Sequence, residues 1–293
     1  MALELNQEVI TSEPVPAATV MVLRDTNAGL EVLILQRHAA SGVLGSAYVF
    51  PGGKIDPEMD TLLPTQIQPS PLDLRHRLDE PDLPLDMAGC LHSAAVRETM
   101  EECGLLLGMD GASPEQVARA KTALQQGQPM RHALDAAGWR LDVSSLHPWS
   151  RWVTPRRPSV TNRRFDTRFF VAALPPGQSA QHDGREITES TWMQPHLALQ
   201  SYWHGLIDLA APQIITLQHL ARFSVTDQVM EHAACNRPRV IHPEPFEQGG
   251  HRVTCYPGDP RHSDPQPAWE GPTRLTFRNG RFEPDGGLDA LLN

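Results

Sequence analysis

Fourteen residues, 94–107 (Ala-Ala-Val-Arg-Glu-Thr-Met-Glu-Glu-Cys-Gly-Leu-Leu-Leu), constrain this chain more than any other stretch. Wound at 100° per residue, they have two unlike faces. Val96, Met100, Cys103 and Leu107 recur at helical spacing and make an apolar stripe that must dock on a core. Glu98, Glu101 and Glu102 fall at i, i+3 and i+4 on the opposite side. Gly104 stands where a left-handed C-cap ends a helix. Like charges at these spacings oppose helix formation by a few tenths of a kcal/mol per pair. A hard divalent cation removes that penalty, because Mg²⁺ and Mn²⁺ take oxygen ligands from closely spaced carboxylates. A solvated acidic face is the plain alternative.

An upstream segment decides between them. Phe50-Pro51-Gly52-Gly53-Lys54-Ile55-Asp56 precedes Arg97-Glu98-x-x-Glu101-Glu102-x-Gly104-Leu105. Together these resemble the two halves of the Nudix box, G-x5-E-x7-R-E-U-x-E-E-x-G-U, where U is a bulky aliphatic residue. The second half matches at every fixed position, with Thr99 at the first U. In the first half Glu58 follows Gly52 at the spacing of the box's first Glu. Glu58 and Arg97 are 39 residues apart, so residues 57–86 stand as an insertion inside the box. Such an insertion resembles one branch of the family, the peroxisomal coenzyme A diphosphatase-like Nudix proteins.

Composition sets the outer bounds. With 293 residues the chain can bury a sizeable core as one large domain or two small ones. A formal net charge of −10 argues against nonspecific nucleic-acid binding, although a metal and local Arg residues can still make a pocket attract phosphate. Cys90, Cys103, Cys235 and Cys255 lack C-x-x-C spacing and read as free thiols of a reducing compartment. No apolar run reaches transmembrane length, residues 1–12 lack signal-peptide character, and the last three residues are not a peroxisomal address. A soluble, cytoplasmic protein without a membrane or nucleic-acid partner is the expectation.

Along the chain, residues 1–16 read as a tail, 17–225 as the Nudix domain and 226–293 as a C-terminal extension of short strands packed on it. Residues 17–23 and 31–36 predict a hairpin, followed by a loop over 37–45 that holds Arg37, a phosphate-contact or plain surface residue. Residues 48–53 predict a strand entering a tight turn, where glycine lets backbone approach a ligand and a carbonyl can ligate a cation. The insertion reads as a lid, a substrate-selecting wall or an inert excursion, with a short helix near 72–78. Asp86 is the expected N-cap of the long helix. Helices are predicted over 114–125, 130–137, 195–202, 212–223 and 226–234. The run 163–172 alternates Arg with apolar residues, as a strand with one end in a cleft does. Arg163, Arg164 and Arg168 can neutralise substrate phosphates, or Asp166 can hold one of them in a structural ion pair. Asn279-Gly280 is a type I′ hairpin signal.

The resemblance implies an α/β fold, the Nudix α/β/α sandwich around a mixed sheet. It implies divalent-metal-dependent hydrolysis of a nucleoside diphosphate linked to another group, with Mg²⁺ or Mn²⁺ held by Gly53, Glu98, Glu101, Glu102 and Glu186. Glu101, Glu102, Glu186 and Arg97 are the implied catalytic set. Arg97 orients a carboxylate and Glu186 completes the metal shell or takes a proton from water, with Glu189 as its alternative. Arg37, Arg163, Arg164 and Arg168 are the implied substrate contacts. The branch points to coenzyme A or acyl-coenzyme A, cut to 3′,5′-ADP and (acyl-)phosphopantetheine. ADP-ribose or NADH is the enzymatic alternative, and a non-catalytic Nudix-fold nucleotide sensor is the alternative of another class. A homodimer stays open.

Overall fold

The computed structural model describes residues 5–38, 45–182, 184 and 186–292. Residues 1–4 of the expected tail, 39–44 of the expected loop, and Asp183 and Arg185 of the stretch before Trp192 lie outside them. Strand β1 (Val15–Thr26) is apolar on both faces, the pattern of a strand covered from above and below. It turns through Gly29, at φ 114°, into antiparallel β2 (Gly29–Arg37). Strand β3 (Tyr48–Val49) extends the sheet beyond β2, and β4 (Gly52–Lys54) folds back so that Gly52 faces Thr19 and Gly53 faces Ala18.

The insertion then opens with α1 (Pro57–Asp60), whose N-cap Asp56 accepts from the Glu58 amide. It continues through β5 (Ile67–Gln68) and α2 (Pro71–Leu78), the helix expected there. The long helix is α3 (Leu85–Cys103), ending at Gly104 with φ 69°, as the left-handed cap requires. Its start differs from expectation. Pro84, fixed in an extended conformation, holds the cap position and its carbonyl accepts from Ala88, while Asp86 sits inside the first turn. There its charge still favours the helix dipole.

Helix α4 (Pro114–Gln125) begins with a capping box of Ser113 and Gln116, and α5 (Met130–Ala137) packs beside it. Short β6 (Leu141–Asp142) pairs with β5. Strands β7 (His147–Val153) and β8 (Phe165–Ala173) are antiparallel to each other, and β8 is parallel to β1. Strand β9 (Ile187–Met193) pairs with β2. Helices α6 (Pro195–Trp203), α7 (Ala211–Leu220) and α8 (Thr226–Cys235) follow, then β10 (Arg239–Ile241), which joins the sheet beside β7. Strands β11 (Glu244–Gln248), β12 (His251–Cys255), β13 (Arg274–Arg278) and β14 (Arg281–Pro284) make a second, antiparallel sheet before α9 (Gly287–Leu292). Asn279 and Gly280 both have positive φ, 52° and 77°, as a type I′ turn demands.

Among the described residues the main sheet has eight strands, in the order β10-β7-β8-β1-β2-β3 with β4 on β1 and β9 on β2. Parity along β1 divides the core. Ala18, Val20 and Val22 face α3 with Leu91, Val96 and Met100, while Met21 and Leu23 face α6 to α8. Each fully buried aliphatic side chain of this kind contributes roughly 1.5–3 kcal/mol. The second sheet closes over the α6 to α8 side through Tyr256, Leu275 and Phe282. The result is the mixed sheet between helical layers that the sequence predicts.

The insertion is tied down along its length. Gln66 donates to Asp135 at 2.8 Å, Arg77 donates to the Ser144 carbonyl at 3.0 Å, and Glu80 pairs with Arg151 and Arg168. Among the described residues no helix is long and apolar enough to cross a membrane. Cys90, Cys103, Cys235 and Cys255 are free thiols.

Candidate active site

Helix α3 reaches the sheet at the corner where β4 pairs with β1, and its carboxylates are unequally covered: Glu102 is buried, Glu98 half-buried and Glu101 exposed. Glu102 is 5% exposed and its Oε2 accepts from the Gly52 amide at 2.9 Å. Burial pushes Glu102 up to about 8, against the Gly52 amide and Arg37, which pull it down. Burial likewise raises Glu98 to about 7, with Arg97 opposing, and raises Glu101. Gly53 lies against Glu98, since a Cβ there would come within 2.5 Å of its carboxylate. Gly52 is as crowded, its absent Cβ falling 2.4 Å from the Ala18 carbonyl. Gly52 meets backbone and has φ 157°, so only glycine fits there, while a Cβ at Gly53 would push the Glu98 carboxylate aside.

Arg97, itself 5% exposed, organises the cluster. Its Nε and Nη2 donate to Asp60 at 2.7 and 3.0 Å, and its Nη1 donates to Glu98 at 2.8 Å and Glu101 at 2.9 Å. Nη2 also reaches the Lys54 carbonyl at 3.3 Å. Burial works against the Arg97 charge, but the Asp60 bonds and the neighbouring carboxylates more than offset it and keep the guanidinium protonated.

Asp60 is the residue that the motif spacing missed. Glu58, placed by that spacing as the box's first acid, is exposed on α1. Asp60, at the inner end of the same short helix, is fully buried and takes the Arg97 fork with Asp56 donating to it at 2.8 Å. A signal was present in Asp56-Pro57: a capped helix starting there carries residue 60 one turn back beneath its own cap.

Glu186 is brought to the cluster from the loop before β9, where its carboxylate raises the proton affinity of both Glu101 and Glu102. Its carbonyl accepts from the His38 amide at 2.8 Å. Glu189 is elsewhere engaged, accepting from the Tyr48 hydroxyl at 3.0 Å and the Thr191 hydroxyl at 2.8 Å. Glu186→Gln is therefore expected to lower kcat about 100-fold, the lower range for losing an acid–base group, and Glu189→Gln by less than about threefold. Steady-state kinetics on the two variants checks this ordering.

The arginines separate. Arg37 sits at a bulge in β2 where its charge is felt by Glu102, and its buried Nε has no hydrogen-bond partner among the described residues. Arg163 is exposed at the start of β8. Arg164 is held by the chain itself, its Nε and Nη1 donating to the carbonyls of Thr154 and Ser12, both at 2.9 Å. Arg168 takes the ion-pair alternative. Strand parity places it on the α3 side with Phe170, where burial demands a counter-ion, and Glu80 and Asp166 supply it at 2.5 and 2.8 Å. Asp166 also takes a bidentate bond from Arg151 at 2.8 and 2.7 Å, so the structural ion pair is the role observed.

Among the described residues no three His, Cys, Asp or Glu side chains already surround a common point as ion ligands do. Glu98 and Glu101 turn onto Arg97 instead. The donor set nevertheless fits a hard divalent cation, being closely spaced carboxylate oxygens with raised proton affinity beside a backbone turn. The sign of the pH dependence follows. Below about pH 7 to 8, Glu98 and Glu102 hold protons that an arriving cation must displace. Apparent Mn²⁺ affinity is expected to fall about tenfold per pH unit for each proton displaced between about pH 8 and pH 6. Calorimetric titration across that range checks it.

The sequence profile described as the NUDT19 Nudix domain matches residues 59–220, which contain α3, the Arg97–Asp60 pair and Glu186. The chain belongs to the NUDT19 Nudix domain family. It is 31% identical over 236 residues to the acyl-coenzyme A diphosphatase NUDT19 of Gallus gallus, covering 66% of this chain and 62% of that protein. The Homo sapiens protein of the same name is 29% identical over 239 residues, covering 67% and 62%. The chain thus spans less than two thirds of the length of these curated relatives. A Nudix hydrolase from Alicyclobacillus acidocaldarius shares the fold, with a TM-score of 0.58, 26% identity, and coverage of 75% of this chain and 97% of that one.

Proposed function

We propose that this Nudix chain is a divalent-cation-dependent pyrophosphohydrolase of acyl-coenzyme A or coenzyme A, releasing 3′,5′-ADP and (acyl-)phosphopantetheine. The observation that carries the reading is the Arg97 fork on Asp60, Glu98 and Glu101, lying inside the segment that matches the NUDT19 Nudix domain. The relatives' name, acyl-coenzyme A diphosphatase, supports the substrate.

Glu98, Glu101, Glu102, Glu186 and the Gly53 carbonyl are the residues that would hold Mg²⁺, or Mn²⁺ in its place. When bound, the cation supplies charge neutralisation for the pyrophosphate and makes a water more acidic. Arg97 fixes the rotamers of Glu98 and Glu101, so the carboxylates are aimed before substrate arrives. Glu186 completes that set or accepts the proton of the attacking water. Arg37 and Arg163 neutralise the substrate phosphates, Arg37 through a buried nitrogen that has no hydrogen-bond partner among the described residues.

Octanoyl-coenzyme A, coenzyme A, ADP-ribose and NADH, each offered with Mg²⁺ and with Mn²⁺, test this reading. Octanoyl-coenzyme A or coenzyme A is expected to give the highest kcat/KM. Preference for ADP-ribose or NADH would keep the chemistry and replace the substrate. Tight binding of a nucleotide without turnover would favour the sensor.

A further inference from the structure

Across the sheet from α3, a cavity of about 560 Å³ opens between β7, β10, α7, α8 and the segment 267–270. Trp152 and Ile215 in its lining belong to the core on the α6 to α8 side. Pockets that take a whole small-molecule ligand run from about 300 to 1,000 Å³, and this one falls within that range. It collects Trp149, Trp152 and Trp269, half of the chain's six tryptophans, so its walls are aromatic in a chain that is 6% aromatic.

A bulge puts Trp149 there. Pro148 pairs with Phe170 and Ser150 with Phe169, which leaves Trp149 without an opposite residue in β8. A bulge re-aims the side chain it carries, and bulges gather beside functional sites. The Trp149 ring lies against His219 at 4.7 Å, His232 at 5.4 Å and Phe223 at 6.2 Å between centroids. All four line the cavity and all four are half-buried, so they make one continuous aromatic wall with ring surface left for a ligand. Burial pushes His219 down to about 4 and lowers His232, so both imidazoles are uncharged near neutral pH. Such a wall accepts the π-face of a nucleobase.

The rim is cationic. Arg222, Arg237 and Arg239 line the cavity against one carboxylate among the described residues, that of Glu270. In a chain of net charge −10, this local excess of guanidinium attracts anions. The partners these arginines now have are weak competitors. Arg222 pairs with Glu270, whose side chain is 81% exposed, Arg237 with exposed Asp79 at 3.0 Å, and Arg239 with Asp264 at 3.7 Å. Exposed pairs contribute about 0–1 kcal/mol, so a phosphate, which takes two guanidinium N–H bonds at once, can displace them. Quaternary ammonium ions also seek aromatic walls, but this rim repels them.

We propose that this cavity is a nucleotide site separate from the α3 carboxylates, with the base of a nucleoside monophosphate on the Trp149 wall and its phosphate on Arg222, Arg237 and Arg239. None of Asp60, Glu98, Glu101, Glu102 and Glu186 lines it, so the nucleotide is held there and not cleaved. The proposal does not depend on which pyrophosphate those carboxylates hydrolyse.

AMP and ribose 5-phosphate, titrated calorimetrically into the full chain in EDTA, test it, with Trp149→Leu, Trp149→Phe, Arg239→Gln and Arg163→Gln alongside. EDTA keeps divalent cations from the carboxylate cluster. Trp149→Leu is expected to weaken AMP about tenfold, the factor of one stacked base, and Trp149→Phe, which keeps a ring, by less than about threefold. Arg239→Gln should weaken AMP and ribose 5-phosphate alike, each about fivefold, while Trp149→Leu leaves ribose 5-phosphate unchanged. A general loss of folded protein cannot give that split. Arg163→Gln, at the catalytic side, should leave AMP affinity as it is in the natural chain. Failure of AMP to bind the natural chain overturns the proposal, as does equal affinity in the natural chain, Trp149→Leu and Arg239→Gln. Weakening by Arg163→Gln alone places the nucleotide at the carboxylate cluster and overturns it too.

Discussion

Glu102→Gln is expected to lower kcat by roughly three orders of magnitude, about 4 kcal/mol at 1.36 kcal/mol per decade, without unfolding the protein. The substitution keeps the shape and an oxygen that still accepts from the Gly52 amide, so β4 stays on α3. It removes the negative charge at the most buried of the three glutamates. That charge is costly in the empty fold, because burial raises Glu102 to about 8. A carboxyl whose folded pKa lies above its unfolded value lends stability that is present below the unfolded value and is lost as pH rises through the folded one. Glu102→Gln escapes that loss. In EDTA at about pH 8.5 it should melt at or above the natural chain, while its activity is nearly gone. Thermal denaturation and kcat on the same preparation separate the two effects.

The second large effect falls on a residue outside the recognisable motif. Asp60→Asn leaves Arg97 buried with one neutral partner, and breaking a buried pair from one side costs about 3–5 kcal/mol. Arg97 then swings toward Glu98 and Glu101, its remaining acids, and the carboxylates lose their aim. A drop of roughly 100-fold in kcat/KM is expected, as for loss of a group that orients ligands. Glu58→Gln, one helical face away and exposed, should change stability by less than about 0.5 kcal/mol and leave turnover intact. Denaturant melts and kinetics on this pair decide which acid belongs to the box. Equal effects at both positions would return the role to Glu58.

The contrast between these two acids marks how far the sequence carries. Helix α3 was legible because its constraints are local: Val96, Met100 and Cys103 at helical spacing, three glutamates opposite, and Gly104 to end it. The β13–β14 turn was legible for the same reason, since Asn-Gly has few conformations to choose from. Arg97's need for a carboxylate was legible too. Which carboxylate was not, because an insertion separates the halves of the box and a register of two residues on α1 decides whether an acid points in or out. Arg168 shows the limit again. Its alternation with apolar residues correctly signals a strand, but Glu80, the partner that buries it, is 88 residues away in the insertion. Asp86 failed as a cap because Pro84, two positions earlier, had already fixed the chain's entry into the helix.

The central claim is that the clustered carboxylates of α3 hold the divalent cation on which turnover depends. It is tested most directly by titrating Mn²⁺ into the natural chain and Glu102→Gln at about pH 8, with bound ion and octanoyl-coenzyme A cleavage read from the same samples. Activity and occupancy of the natural chain should rise on one curve, and in Glu102→Gln occupancy should shift at least about tenfold while cleavage stays near zero. Cleavage that persists in EDTA, or a variant whose two curves overlie those of the natural chain, would contradict it.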